Sequence, residues 1–135
     1  MQRVVSSRSW VSNMKWNQNW VIAFGLYVVI LLTIIILAYL GIVPVKLPKI
    51  PFYDTLGHLI LLGSASYLGH KALGGQTIKL RLFPLSIPLA PVVISLFAAI
   101  DETLQALSPL RTSCWSDMMA NLVGIWLFYS LAAWK

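Results

Sequence analysis

Only four acidic residues stand in the 135-residue chain, Asp54, Asp101, Glu102 and Asp117, and each falls inside or at the mouth of an apolar segment. Carboxyl groups in such surroundings can exchange protons as general acid and base, hold a cation, or pin helices together through a satisfied hydrogen-bond network. A charge near the centre of a bilayer costs roughly 2.5–3.5 kcal/mol on insertion scales, so it normally faces protein and has a partner. Partners are present at helical spacing. Asp54 and His58, Asp101 and Gln105, and Asp117 and Asn121 are each four residues apart, and Glu102 precedes Gln105 by three, so each pair shares a helix face. Arg111 follows shortly after this group, where a guanidinium fork is placed to clamp a carboxylate or a phosphate.

Glu102, Asp117 and His58 are the candidates for acid–base work on a lipid-linked sugar or headgroup. Spacing alone shows no nucleophile–base pair, so catalysis is not established by the sequence. Counting formal charge, Asp54, Asp101, Glu102 and Asp117 face only Arg111, plus His58 when protonated. Either some carboxyls are protonated by desolvation, or a cation or cationic ligand completes the group. Asp54, His58, Glu102 and Asp117 include donor types that suit divalent ions, but no compact ligand motif supports a metal centre, and none is predicted. No cofactor is predicted either; a bound cation or a pigment on a histidine are the alternatives. His70, beside Lys71, reads as an interfacial side chain. Cys114 is the single cysteine, which excludes an intrachain disulfide and reads as a free buried thiol with no base or metal-ligand spacing beside it.

The elements that must position these residues are read from hydropathy. Hydrophobic residues make up 59% of the chain, charged ones 10%, and the mean hydropathy is +0.79. A soluble domain carries roughly 25% charged residues, so the polar surface needed in water is missing. The predicted architecture is an all-α membrane protein, a bundle of four transmembrane helices with a short interfacial N-terminal segment at residues 1–19. The spans are expected at about 20–40, 52–72, 87–107 and 114–134, together one domain over 20–134. The first is uncharged and reads as a retained, lipid-facing anchor, since about 20 apolar residues cross the hydrocarbon core. The connection GIVPVKLPKIP is too rich in proline to continue a helix. The second segment carries Gly57 and Gly63, and Gly124 lies a turn beyond Asn121 in the fourth; such small residues let membrane helices approach closely. Lys71, Lys79 and Arg81 fall in or beside a loop around Gly74-Gly75. Pro88 and Pro91 are acceptable near the start of the third helix, Ser108-Pro109 closes it, and Thr112, Ser113 or Ser116 is available to cap the fourth.

The net charge of +6 arises from basic residues spread singly between apolar runs, a pattern that sets membrane orientation and does not indicate nucleic-acid binding. Four spans put Arg3, Arg8, Lys15, Lys71, Lys79, Arg81 and Lys135 on one side and Lys46, Lys49 and Arg111 on the other. The positive-inside rule then places both termini in the cytoplasm and all four acids toward the opposite face.

The stretch DETLQALSPLRTSCWSDMMANLVG, residues 101–124, resembles the signature of VanZ-like membrane proteins, approximately D-E-x-x-Q, then P-G-R, then D-x-x-x-N-x-x-G. Asp101, Glu102, Gln105, Pro109, Arg111, Asp117, Asn121 and Gly124 stand on the motif positions. The upstream D-K-x-x-H element of that family is similar to Asp54 to His58, with Thr55 where the family usually has Lys. Leu110 stands where it usually has Gly, and Leu62 near a position where an aromatic is common. The resemblance covers roughly residues 20–134. It implies a small bundle of membrane helices in the cell envelope, in a bacterial plasma membrane or an internal membrane such as a thylakoid, within a family named for low-level teicoplanin resistance. Two function classes stay open. One is a stand-alone protein whose outward polar cluster binds or acts on an envelope lipid or glycopeptide-related ligand. The other is a small accessory subunit among other membrane proteins, with the cluster serving helix packing.

Overall fold

The structure is a computed structural model and describes residues 16–42, 52–79, 84–111 and 113–134. Four helices carry the chain: α1 (Gln18–Tyr39), α2 (Tyr53–Ala72), α3 (Leu89–Leu107) and α4 (Trp115–Ala133), with two short strands, β1 (Thr77–Lys79) and β2 (Ser86–Pro88), between α2 and α3. Of the helices, α1 and α3 are long and apolar enough to cross a membrane. Residues 1–15, 43–51, 80–83, 112 and 135 lie outside the described residues. With them go most of the interfacial N-terminal segment, the proline-rich connection, and seven of the ten basic residues used for orientation: Arg3, Arg8, Lys15, Lys46, Lys49, Arg81 and Lys135.

Glycine ends the first two helices in the same manner. Beyond the Leu40 cap, Gly41 adopts φ 72°, its N–H donates to Ala38 O, and the Ile42 N–H donates to Leu37 O. That is a Schellman closure, which requires a left-handed residue after the cap. After α2 the pattern repeats with Gly74 at φ 61° and Gly75 at φ 77°, donating to Lys71 O and His70 O. The chain then leaves in an extended direction and forms a small antiparallel ladder, Thr77 opposite Pro88 and Lys79 opposite Ser86. The loop expected here is therefore partly a strand pair. Its pairing delays α3 to Leu89, two residues past the expected start, because Ile87 precedes a proline and is held extended.

The start of α4 also differs from expectation. Its cap is Cys114, with no side-chain cap hydrogen bond; the thiol is exposed and not buried as expected, because it stands ahead of the first helical turn. Ser116 lies inside the first turn and donates to Cys114 Sγ at 3.1 Å, while the Ser113 hydroxyl is committed to Glu102. Thr112 is outside the described residues.

The bundle is organised around α2, which packs against all three other helices and most extensively against α4. Close approach explains this. A Cβ at Gly124 would overlap the Leu59 carbonyl oxygen and lie 2.9 Å from Leu59 Cα. A Cβ at Gly63 would lie 2.7 Å from the Phe128 ring and 3.0 Å from Gly124 O. Gly63 and Gly124 are thus packing residues, as expected. Gly57 is not: a Cβ there would meet nothing within 4 Å, because no neighbouring helix stands over it, and it borders a cleft instead.

The interior is small. Leu31, Leu62, Ala65, Ala98 and Ile125 form the buried cluster, with Tyr27, Ile35, Leu61, Ile94 and Phe97 packed around it. The outward faces are apolar: Ile22, Leu26, Val29 and Ile30 on α1, Leu96 and Ile100 on α3, and Val123, Leu127 and Leu131 on α4 are all exposed.

Candidate functional site

The end of the bundle that holds the site is built from the last turn of α1, the first turns of α2 and α4, and the last turns of α3. All four acids lie there, and Asp101 and Asp117 accept hydrogen bonds from side chains of other helices. On the α2–α4 side, the Thr55 hydroxyl donates to Asp117 Oδ1 at 2.9 Å. One turn along, His58 Nδ1 lies 3.1 Å from Asn121 Oδ1. The other ring nitrogen, Nε2, lies 3.8 Å from Asp54 Oδ1. Asp117 and Asn121 are almost wholly buried, at 4% and 1% exposed.

On the α1–α3 side, the Tyr39 hydroxyl lies 3.0 Å from Asp101 Oδ1 and 3.1 Å from the Asp101 carbonyl oxygen, and donates there. Gln105 Nε2 donates to Asp101 Oδ2 at 2.7 Å. A third group closes the α3–α4 corner, where buried Glu102 accepts through Oε1 from the Ser113 hydroxyl at 3.0 Å and the Cys114 N–H at 3.1 Å. The local sequence makes this corner feasible: Ser108 ends α3 in an extended conformation, and Pro109 cannot continue the helix. The chain turns back within hydrogen-bond reach of Glu102.

Of the four helical pairs read from spacing, two are realised and two are not. Asp54–His58 and Asp101–Gln105 are realised. Asp117 and Asn121 turn instead to Thr55 and His58 on α2, and Gln105 turns to Asp101 in place of Glu102. Arg111 forms no ion pair with a carboxylate among the described residues; its guanidinium stands 5.6 Å from the centre of the Tyr39 ring. A cation over an aromatic face is attracted by the ring quadrupole, and here it keeps the basic group at the site. Tyr39 was not expected. It lies in a span read as a lipid-facing anchor, and only its hydroxyl separates it from an ordinary interfacial aromatic. α1 therefore contributes to the site and also donates from Tyr27 to Leu61 O at 2.7 Å.

A cleft of about 130 Å³ joins the two sides. Asp54, His58, Asp101 and Arg111 line it together with Tyr53, and Leu31, Ile34, Ile35, Ala38, Leu61 and Leu62 supply an aliphatic wall. Gly57 also borders it. An apolar cavity of about 150 Å³ holds a benzene-sized group, so the cleft takes part of an amphiphile and not a whole lipid.

Donor atoms of Asp54, His58 and Asp117 all lie within 4.8 Å of one another. Two full negative charges at 4.8 Å repel by about 3.5 kcal/mol at an effective dielectric near 20. This arrangement favours a cation or a shared proton between them. Glu102 does not join this group; its partners are at the α3–α4 corner. The three candidates for acid–base work are therefore divided, with His58 and Asp117 on one side of α4 and Glu102 structural in its contacts. At the far end of the bundle, His70 packs edge-on against Tyr129 with ring centres 4.9 Å apart.

Compared with known proteins, the chain matches no family model, no curated protein and no solved structure.

Proposed function

We propose that the chain is a multi-pass integral membrane protein of the VanZ-like type, and that its cleft binds the polar end of a membrane amphiphile, an envelope lipid or a lipid-linked sugar. The cleft carries this reading. Its wall is aliphatic, as an acyl or isoprenoid chain requires, and its mouth presents Asp54, His58, Asp101 and Arg111, as a charged or hydroxylated headgroup requires. The membrane setting is supported by the apolar outward faces and by aromatic residues gathered at both ends of the bundle. Trp16 and Trp134 are exposed at one end, and Phe52, Tyr53 and Trp115 at the other, the levels at which aromatic belts meet headgroups. In this reading all four helices cross the bilayer. The less apolar α2 and α4 are accommodated because they turn their polar residues to one another. Both termini are cytoplasmic and the cleft opens toward the outer leaflet.

The test fills the cleft without disturbing packing. Gly57→Leu projects a side chain from a position with no neighbour within 4 Å. Protein purified in mild detergent is extracted and its retained lipid quantified by mass spectrometry. Loss of a stoichiometric lipid in Gly57→Leu, with helicity and monodispersity unchanged, is the expected result. Equal retention by both proteins would contradict the cleft as the binding site. Co-elution of the wild type with a stoichiometric larger complex would instead favour an accessory subunit.

A further inference from the structure

We infer that Asp54, His58 and Asp117 form a binding site for a divalent first-row metal ion, with Zn²⁺ and Mn²⁺ as the fitting ions. The donor set is one imidazole and two carboxylates, with all donor atoms within 4.8 Å of one another. The 3.8 Å between His58 Nε2 and Asp54 Oδ1 is too long for a hydrogen bond. It corresponds to an N–metal–O angle of about 130° for metal–ligand bonds of about 2.1 Å. The widest separation must close by about 1 Å, which rotation of a carboxylate supplies.

The surroundings are those of a ligating imidazole. Metal-bound histidines almost always donate their second ring N–H to an oxygen, which fixes the tautomer and aims the free nitrogen at the ion. Here Asn121 Oδ1 takes that role on Nδ1 at 3.1 Å. Thr55 similarly holds Asp117 by Oδ1 at 2.9 Å. An independent observation points to what completes the site. Asn121 is 1% exposed, and its Nδ2, on the amide that touches His58, is buried without a hydrogen-bond partner among the described residues. Arg111 Nε, on the cleft that Asp54 and His58 line, is also buried with no partner among the described residues. Two stranded donors near a cluster of carboxylates call for an oxygen ligand that no described residue supplies. A water or other oxygen on the fourth position of the ion meets that requirement, since three protein ligands leave one coordination position open. The three donors were candidates by type, together with Glu102, but no compact motif marked them because they come from two helices more than fifty residues apart.

The site stands independently of lipid binding, and the probe is the metal alone. Metal-free protein in detergent is titrated with Zn²⁺ by calorimetry and with Co²⁺ by visible absorption. One ion per chain is expected, with at least a tenfold loss of affinity in His58→Ala and in Asp117→Asn. Glu102→Gln, which lies outside the three-residue group, should bind as the wild type does. Absence of saturable binding by the wild type, or equal affinity in His58→Ala, overturns the assignment. Should the variants fail to fold, the wild type still decides: the chain has two histidines. One equivalent of diamagnetic Zn²⁺ should shift the imidazole resonances of His58 and leave those of His70 in place. Shifts at both, or at neither, reject the site.

Discussion

Replacing Gly124 by alanine adds one methyl group and probes the close crossing of α2 and α4. The new Cβ would overlap the Leu59 carbonyl oxygen and approach Leu59 C and Cα at 2.9 Å. These are backbone atoms of α2 and cannot move as a side-chain tip does. The helices must therefore separate. Overpacking of this kind typically costs about 1–3 kcal/mol. Separation also stretches the two hydrogen bonds that cross the same interface, Thr55 to Asp117 and His58 to Asn121, each worth about 0.5–1.5 kcal/mol or more where a charge is involved. The sum is a destabilisation of about 2–6 kcal/mol. Gly57→Ala is the matched control, because its Cβ meets nothing within 4 Å. Alanine in a helix interior gains up to about 1 kcal/mol over glycine. Reversible unfolding of the detergent-solubilised proteins by titration with sodium dodecyl sulfate, followed by far-ultraviolet circular dichroism, should rank Gly57→Ala at or above wild type and Gly124→Ala well below it. Wild-type stability in Gly124→Ala would refute the close α2–α4 crossing, and with it the geometry that brings Asp117 and Asn121 to α2.

Other expectations concern single contacts. A double-mutant cycle on Thr55→Val and Asp117→Asn, read by the same unfolding titration, should return a coupling of about 1–2 kcal/mol, since a hydroxyl on a carboxylate exceeds a neutral pair; additivity within about 0.3 kcal/mol would contradict the contact. Tyr39→Phe removes the hydroxyl that reaches Asp101 from α1 and should lower stability by about 1–2 kcal/mol, whereas an unchanged midpoint would make α1 an anchor only. Glu102→Ala strands the Ser113 hydroxyl and the Cys114 N–H. A loss of about 2–3 kcal/mol, with faster amide exchange at residues 113–115, is expected, and unchanged exchange there would count against Glu102 as the corner clasp.

The helices were legible because their signals are strong and local. An uncharged run of helix length marks α1 and an apolar one marks α3, glycines and Ser108-Pro109 mark the ends, and all four predicted segments appear as helices within two residues of the expected bounds at either end. The gathering of the four acids at one end followed from alternating helix direction. Three things were not legible. The β1–β2 ladder is three residues a side, and its pairing is fixed by where α2 and α3 end, not by a hairpin pattern of its own. Partner choice was another: spacing at four residues nominates Asn121 for Asp117, but the close approach at Gly124 offers Asp117 and Asn121 better-placed groups on α2. The third was Gly57, a small residue on a packing helix that is small for a different reason, since no helix covers it and it borders the cleft.

The account turns on four crossings with the polar cluster at the outer face, and the single native cysteine reports on that directly. Cys114 is exposed, at the start of α4 and at the cluster end. Trp134, at the other end of the same helix, is also exposed. Spheroplasts expressing the wild type, and others expressing a Cys114→Ser, Trp134→Cys variant, are treated with a membrane-impermeant maleimide before and after permeabilisation. Cys114 should be labelled in the intact spheroplasts, and the cysteine at 134 only after permeabilisation. Labelling of position 134 from outside, or protection of Cys114 until permeabilisation, would contradict the account.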